Sequence, residues 1–276
     1  MNARTVDISV IDHVAHVRLD RPDKHNALNG QLMDELREAT RQIGTDASVR
    51  AVVLAGNGPS FCAGLDTANF ATMMSGELSA DSGNVQASYA DLSDAGANRA
   101  QQTGWLWQEL PVPVIAAVHG SALGGGLNLA LAADITVAAP DARLGFVEIG
   151  WGLIPDMSAS QSLRRLVGLD RAKLLVLTGQ IFSGAEAYDW GLATELADDP
   201  VARATEIAQA IAAQNPDAVQ AALQVLNHSI DSNTTEGFAE EKRVSSALIG
   251  APNQIEAVRA RLSNEPPNFE DRRDTE

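Results

Sequence analysis

The chain is expected to fold as an α/β protein with a parallel sheet. Three observations carry this. The first half alternates short β-branched apolar runs with segments of helical period, which is the pattern of parallel strands joined by helices. The 276 residues are long enough to bury about three-quarters of the unfolded surface. A content of 45% apolar and 20% charged residues suits a globular core and rules out wholesale disorder.

The elements follow in order. Thr5 to Val10 and His13 to Leu19 alternate at period two and predict a hairpin turned near Ile11-Asp12. Leu28, Leu32, Met33, Leu36 and Ile43 recur at helical spacing, with Asn29 as N-cap and Gly44 as stop. Arg50 to Ala55 predicts a buried strand. Met74 to about Asn98 shifts towards Ser, Gly, Ala and Asp and predicts a long loop or insertion. Trp105, Leu106, Trp107 and Leu110 predict a helix stopped by Pro111. Val112 to Val118 predicts a strand, Leu127 to Ala133 a helix and Ile135 to Ala138 a strand.

Beyond Trp151 the pattern is helical. Asp170 is expected to cap a helix ending at Gly179. Ser183 and Glu186 form a capping box for one ending at Gly191, and Asn215-Pro216 supply an N-cap and first residue. Val219, Leu223, Leu226 and Ile230 are the expected buried face of that last helix. Gly250-Ala251-Pro252 separates two more helices, the second reaching Leu262. The tail from Asn264 carries Pro266-Pro267 and is expected to fray. These readings divide the chain into a core over 1–198, a helical region for packing and oligomerisation over 199–264, and a polar tail over 265–276.

The composition narrows the function. A net charge of −16 repels phosphate backbones, so nucleic acid is not an expected partner. The single Cys62 leaves no disulfide framework or thiolate cluster. No basic leader with an apolar stretch opens the sequence, and no apolar run reaches membrane-spanning length. A cytoplasmic location with no membrane partner is expected. The five histidines make no metal pair, since His13 and His16 lie three apart in a predicted strand and face opposite ways.

Two glycine-bearing turns stand out, Ser60-Phe61-Cys62-Ala63-Gly64-Leu65-Asp66 and His119-Gly120-Ser121-Ala122-Leu123-Gly124-Gly125-Gly126-Leu127-Asn128. Each follows a predicted buried strand. Glycine lets a backbone approach a ligand, and amides at a helix start point at developing negative charge. A tight strand-to-helix turn with no ligand is the alternative.

With Arg21-Pro22-Asp23-Lys24-His25-Asn26-Ala27-Leu28-Asn29, these turns resemble the crotonase, or enoyl-CoA hydratase/isomerase, superfamily, in register from about Val6 to Leu262. The pattern is most similar to the dienoyl-CoA and phenylacetate-pathway isomerases. The resemblance implies a spiral β/α core, a C-terminal helical region, a homotrimer or dimer of trimers, and acyl-CoA thioester substrates. It implies no metal and no cofactor beyond the coenzyme A of the substrate. The amides of Leu65 and Gly125 match the family's oxyanion hole. Lys24, Ala27, Leu28, Ala63, Gly64, Asp66 and Gly124 match its CoA- and substrate-binding segments.

Hydratases in this family place a glutamate where this chain has Asn128, and a second at Glu148. Asn128 cannot exchange a proton as a carboxylate does. Asp156 stands where typical hydratases are similar to Ile-Pro-Gly, and carboxylates at such positions are similar to those of the isomerases. A helix cap for Met157 to Val167 is the other reading of Asp156. The implied activity is a double-bond shift by Glu148 and Asp156, with Asn128 orienting by hydrogen bonds. Hydration with Glu148 as principal acid/base and water held by Asn128, or acyl-CoA capture with little turnover, are the alternatives.

Overall fold

The computed structural model describes residues 3–67, 74 and 92–273. β1 (Val6–Ile11) and β2 (Val14–Leu19) form the antiparallel hairpin. Its turn sits at Asp12-His13, one residue later than expected, with φ of 48° and 67°. Two successive left-handed residues match the twist of the flanking strands. His13 therefore lies in the turn and not in the strand.

β2 pairs in parallel with β3 (Ala51–Gly56), and β3 with β4 (Val114–Val118). β5 (Ser121–Leu123) belongs to a second sheet, while β6 (Ile135–Ala138) pairs in parallel with β4. β7 (Arg143–Gly145) and β8 (Phe182–Ser183) join β5 in the order β5-β7-β8. β9 (Glu195–Leu196) closes the larger sheet, ordered β1-β2-β3-β4-β6-β9. The parallel α/β core is thus present. β5, β7, β8 and β9 were not expected, because two or three residues carry no readable periodicity.

Every residue of β3 and β4 is buried, because both faces of the sheet are covered. On one face, Val52, Leu54, Val114 and Ala116 belong to a core shared with Leu32, Leu36 and Ile43 of α1 (Gly30–Thr45). Asn29 caps α1 by accepting from Leu32 N–H at 2.9 Å, and the helix runs one residue past Gly44. α2 (Arg99–Trp105) ends where a helix was expected to begin. A capping box between Asn98 and Gln101 starts it early, and Leu106–Glu109 form turns. Most of 74–98 lies outside the described residues.

α3 (Gly125–Ala130) starts two residues before Leu127. α4 (Ala159–Leu166) is followed by α5 (Leu169–Thr178), whose N-cap is Gly168; Asp170 sits in its first turn instead. α6 (Gly184–Asp189) has the Ser183–Glu186 capping box. α7 (Pro200–Ala212) covers the second face of the sheet, setting Ala204, Ala208 and Ala212 in the core with Val53, Ile115 and Ala117. Alanines four apart on one helix face allow close approach.

α8 (Pro216–His228) is capped by Asn215 and is followed by α9 (Thr234–Leu248) and α10 (Pro252–Ser263). The expected buried face of α8 is not buried within this chain. Leu226 is 66% exposed, Ile230 lies past the helix end, and Pro216, Asp217, Gln220 and Ala221 are covered instead. The tail does not fray up to residue 273. Arg272, 6% exposed, donates to the Gly44 and Asp46 carbonyls at 2.6 and 3.1 Å, and the Arg273 guanidinium pairs with Asp217 at 3.0 Å. Among the described residues no helix is long and apolar enough to cross a membrane.

Candidate active site

β3 and β4 are neighbours, so the turns leaving their C-terminal ends emerge side by side. Open α/β sheets hold their ligands at such strand ends. Asn26 fixes the first turn. It is fully buried and left-handed, with φ of 56°. Its side chain accepts from Arg21 N–H at 2.8 Å and donates to the Asn57 and Ser60 carbonyls at 2.9 and 2.8 Å. Leu28 N–H donates to the Gly64 carbonyl at 2.7 Å, and Asp66 N–H to the Leu28 carbonyl at 2.9 Å. The stretch through His25 to Asn29 is therefore a strap on the turn at 60–66.

The second turn is tied to the first. Cys62 N–H donates to the Ser121 carbonyl at 2.9 Å, and Leu123 N–H to the Cys62 carbonyl at 3.0 Å. Glycine is required where the turns touch. Gly64 has φ of 91°, and a Cβ on Gly126 would stand 2.2 Å from the Cys62 carbonyl oxygen. Burial pushes the Cys62 thiol up to about 12, so it stays protonated and inert at neutral pH.

The turns wall a cavity of about 410 Å³ that brings together Leu28, Ala63, Gly64, Leu65, Gly124 and Gly125 with Glu148 and Asp156. Gly125 is the first residue of α3, and its N–H has no hydrogen-bond partner among the described residues; nor has that of Leu65. Two unpaired donors at one cavity suit an oxygen on which negative charge develops.

Glu148 sits in the 3₁₀ turn Val147–Trp151. Burial raises its carboxyl above the usual range, against hydrogen bonds from its own backbone and from Asn128, and the nearby Asp156 charge adds to the rise. Its Oε1 accepts from Asn128 Nδ2 at 3.0 Å. Its Oε2 is buried and has no partner among the described residues. Asn128 is fully buried and lies behind Glu148, outside the cavity lining.

Asp156 lines the cavity and caps nothing. α4 begins at Ala159, three residues on, and its N-cap Ser158 is left-handed and makes no side-chain cap bond. The cap reading of Asp156 is thereby overturned. Desolvation raises its carboxyl, countered by its own backbone N–H. The residue keeps an exposed face, so water moderates that rise.

Three of the expected binding residues do not line the cavity. Lys24 is exposed in the 3₁₀ turn Pro22–Lys24. The Ala27 carbonyl accepts from Arg21 Nη1, and Asp66 pairs with Arg21 Nη2 at 2.9 Å. Sequence reasoning missed Thr67, Leu123 and Val147, and also Trp151, Leu153, Ile154 and Met157, which complete the wall. The signal for the last four is the set of apolar residues that follow Gly150 and Gly152, with Ile154 left 70% exposed. No group of three or more His, Cys, Asp or Glu side chains is placed to hold a metal among the described residues.

Comparison with known proteins shows the family and the fold. The enoyl-CoA hydratase/isomerase family profile matches residues 10–272. A probable enoyl-CoA hydratase of Mycobacterium leprae is 32% identical over 274 residues, 98% of this chain and 99% of that one. A probable enoyl-CoA hydratase of Bacillus subtilis is 34% identical over 273 residues, at the same coverage. The crystal structure of an enoyl-CoA hydratase from Bacillus anthracis superposes with a TM-score of 0.85 at 32% identity, over 96% of this chain and 98% of that one. That of a protein from Mycobacterium abscessus, titled an enoyl-CoA hydratase/isomerase, gives 0.86 at 30% identity, over 97% and 100%. With its strand-end turns, paired amides and full-length match, this chain belongs to the enoyl-CoA hydratase/isomerase family of the crotonase superfamily and has its fold.

Proposed function

We propose that this enzyme shifts a double bond in an enoyl- or dienoyl-CoA. The thioester oxygen lies between the Leu65 and Gly125 amides, which hold the enolate as charge moves onto it; such a donor contributes about 3–4 kcal/mol to the barrier. Glu148, ionised, takes a proton from one carbon. The electrons of that C–H bond form the new double bond, and those of the old one accept a proton at another carbon. Asp156 in its protonated form supplies that proton, and the two carboxyls then re-equilibrate through solvent. The composition of the acyl chain is unchanged, and only carboxyls and amides are required.

One observation carries the reading. Glu148 and Asp156 line the same cavity as both unpaired amides, while the hydrogen-bonding groups of Asn128 are all committed to protein partners. Hydration is the second reading, favoured by the names of the relatives, with Glu148 as principal acid/base. The test is mass spectrometry with ultraviolet spectra on a mixed acyl-CoA panel. Isomerisation leaves mass unchanged and shifts the spectrum. Hydration adds water, and capture with little turnover changes neither. We further propose assembly as a homotrimer or dimer of trimers, supported by the uncovered Leu226, Phe238, Ile255 and Leu262 of the last three helices. A monomer by light scattering at micromolar concentration overturns it.

A further inference from the structure

A second chamber of about 560 Å³ adjoins the cavity, and the two share Asp156 and Ile154 in their walls. Their linings differ in kind. The inner cavity is walled chiefly by apolar side chains and backbone. The outer chamber carries Gln101, Ser158, Ser160, Gln161, Arg164 and Asp231. A chamber built for a plain hydrocarbon tail would be apolar, because each polar group a hydrocarbon strips of water goes unpaired.

Several of these groups have capacity to spare. The Gln101 side-chain oxygen is used by Asn98 N–H at 2.9 Å, while its amide nitrogen has no partner among the described residues. Gln161 Nε2 donates to Ser160 Oγ at 3.2 Å, and its oxygen accepts nothing from a described residue. Ser158 is 8% exposed, and its hydroxyl is buried with no partner among the described residues. Its backbone is left-handed, with φ of 74°, a conformation unfavourable for serine. The charges present select against an anion. Arg164 is already paired with Asp231 at 2.5 Å, and Asp156 adds a negative group at the shared wall.

We propose that the outer chamber is the distal subsite for the acyl chain, and that it selects acyl-CoA substrates whose far end carries a neutral hydrogen-bonding group, a hydroxyl or a carbonyl. This rests on the acyl-CoA reading of the inner cavity. The thioester sits at Leu65 and Gly125, the reacting carbons pass Glu148 and Asp156, and the tail crosses beside Ile154 into the chamber. There the Gln101 amide nitrogen and the Gln161 oxygen meet the terminal group.

The test compares saturated acyl-CoAs of graded length with their ω-hydroxy counterparts, by calorimetric binding to wild type and Gln161→Leu. Gln161 is exposed and its one side-chain bond stays within its own helix, so the variant keeps the fold, which circular dichroism checks. The expected result is that at one or more chain lengths the ω-hydroxy compound binds wild type about fivefold tighter than its partner. In Gln161→Leu that advantage falls to about twofold or less. Equal or tighter binding of the plain chain at every length overturns the proposal, as does an advantage that survives intact in Gln161→Leu. In both cases the acyl-CoA reading stands. Failure of every acyl-CoA to bind overturns that reading, and the subsite with it.

Discussion

Asn128 holds Glu148 from behind. Its Nδ2 donates to Glu148 Oε1 at 3.0 Å and to the Gly124 carbonyl at 2.8 Å, and its Oδ1 accepts from Ala159 N–H at 3.2 Å. One buried amide thereby links the start of α3, the Glu148 turn and the start of α4. Its donation to Oε1 favours the ionised carboxylate and works against the rise caused by burial. An aspartate in its place adds a like charge and removes a donor. Both effects raise the Glu148 pKa. Asn128→Asp is therefore expected to move the acidic limb of the pH–rate profile to higher pH, measured as kcat/KM against pH. A limb that stays in place means that Asn128 does not set the charge of Glu148.

Glu148→Gln keeps the size and the oxygen that accepts from Asn128 but removes proton exchange. Turnover is expected to fall by about 10²–10⁴-fold, since that is what a positioned acid/base group contributes. Acyl-CoA binding, which the amides and the cavity wall carry, is expected to survive. Steady-state rates with calorimetric binding check both halves. A variant that turns over at the wild-type rate removes Glu148 from the mechanism.

Asp156→Asn separates isomerisation from hydration. Asp156 caps no helix, so the substitution is expected to leave the melting temperature within about 1 °C. Isomerisation of a 3-enoyl- or dienoyl-CoA is expected to fall by at least about 10²-fold. An unchanged isomerase rate moves the assignment to hydration by Glu148.

The sequence was most legible where one residue decides a local structure by itself. Asn29, the Ser183–Glu186 box and Asn215 act within a turn of their own positions, and each caps as expected. Three glycines in a row suggested that the backbone of 119–128 approaches a ligand, or merely turns tightly, but not that Gly126 would lie against the Cys62 carbonyl. Partners distant in sequence were less legible. Nothing local shows that Arg272 would return to the end of α1, that α7 would cover the sheet with alanines, or that Asn128 would bridge to Ala159. Asp156 was open to two readings, and only the helix cap fails. Its type and place before a helix suit a cap, but Met157 and Ser158 intervene before α4 begins.

Arg272 tests the value of one such distant contact. It donates to the Gly44 and Asp46 carbonyls, which lie at the negative end of α1. A buried guanidinium there satisfies carbonyls that the helix leaves open and opposes its dipole. Arg272→Ala is expected to cost about 2 kcal/mol, as for a charge-assisted hydrogen bond lost from a buried site. Arg272→Lys keeps the charge and is expected to recover part of it. Urea unfolding midpoints at fixed protein concentration measure both. Equal midpoints for the wild type and Arg272→Ala reduce the contact to a passive one.

Asp134 gives a pH dependence that the reaction does not use. It accepts from Val114 N–H at 2.8 Å at the start of β4. Burial pushes its carboxyl up to about 6, although that hydrogen bond and the Arg165 charge pull it down. The folded chain then holds this proton to a higher pH than the unfolded chain, whose aspartate titrates near about 4. Between those values the folded state binds more protons, so stability falls as pH rises. Above about 6 the loss is complete and constant. Asp134→Asn keeps an oxygen for Val114 N–H and removes the charge. Its melting temperature is expected to match or exceed that of wild type at about pH 8, by an amount of order 2–4 °C for each 1 kcal/mol gained. Near about pH 4 the two are expected to converge, because wild-type Asp134 is then neutral in the folded state. Melting curves of both proteins across this range decide the matter. A wild type that gains stability over the variant as pH rises shows that the Arg165 charge, and not burial, governs Asp134.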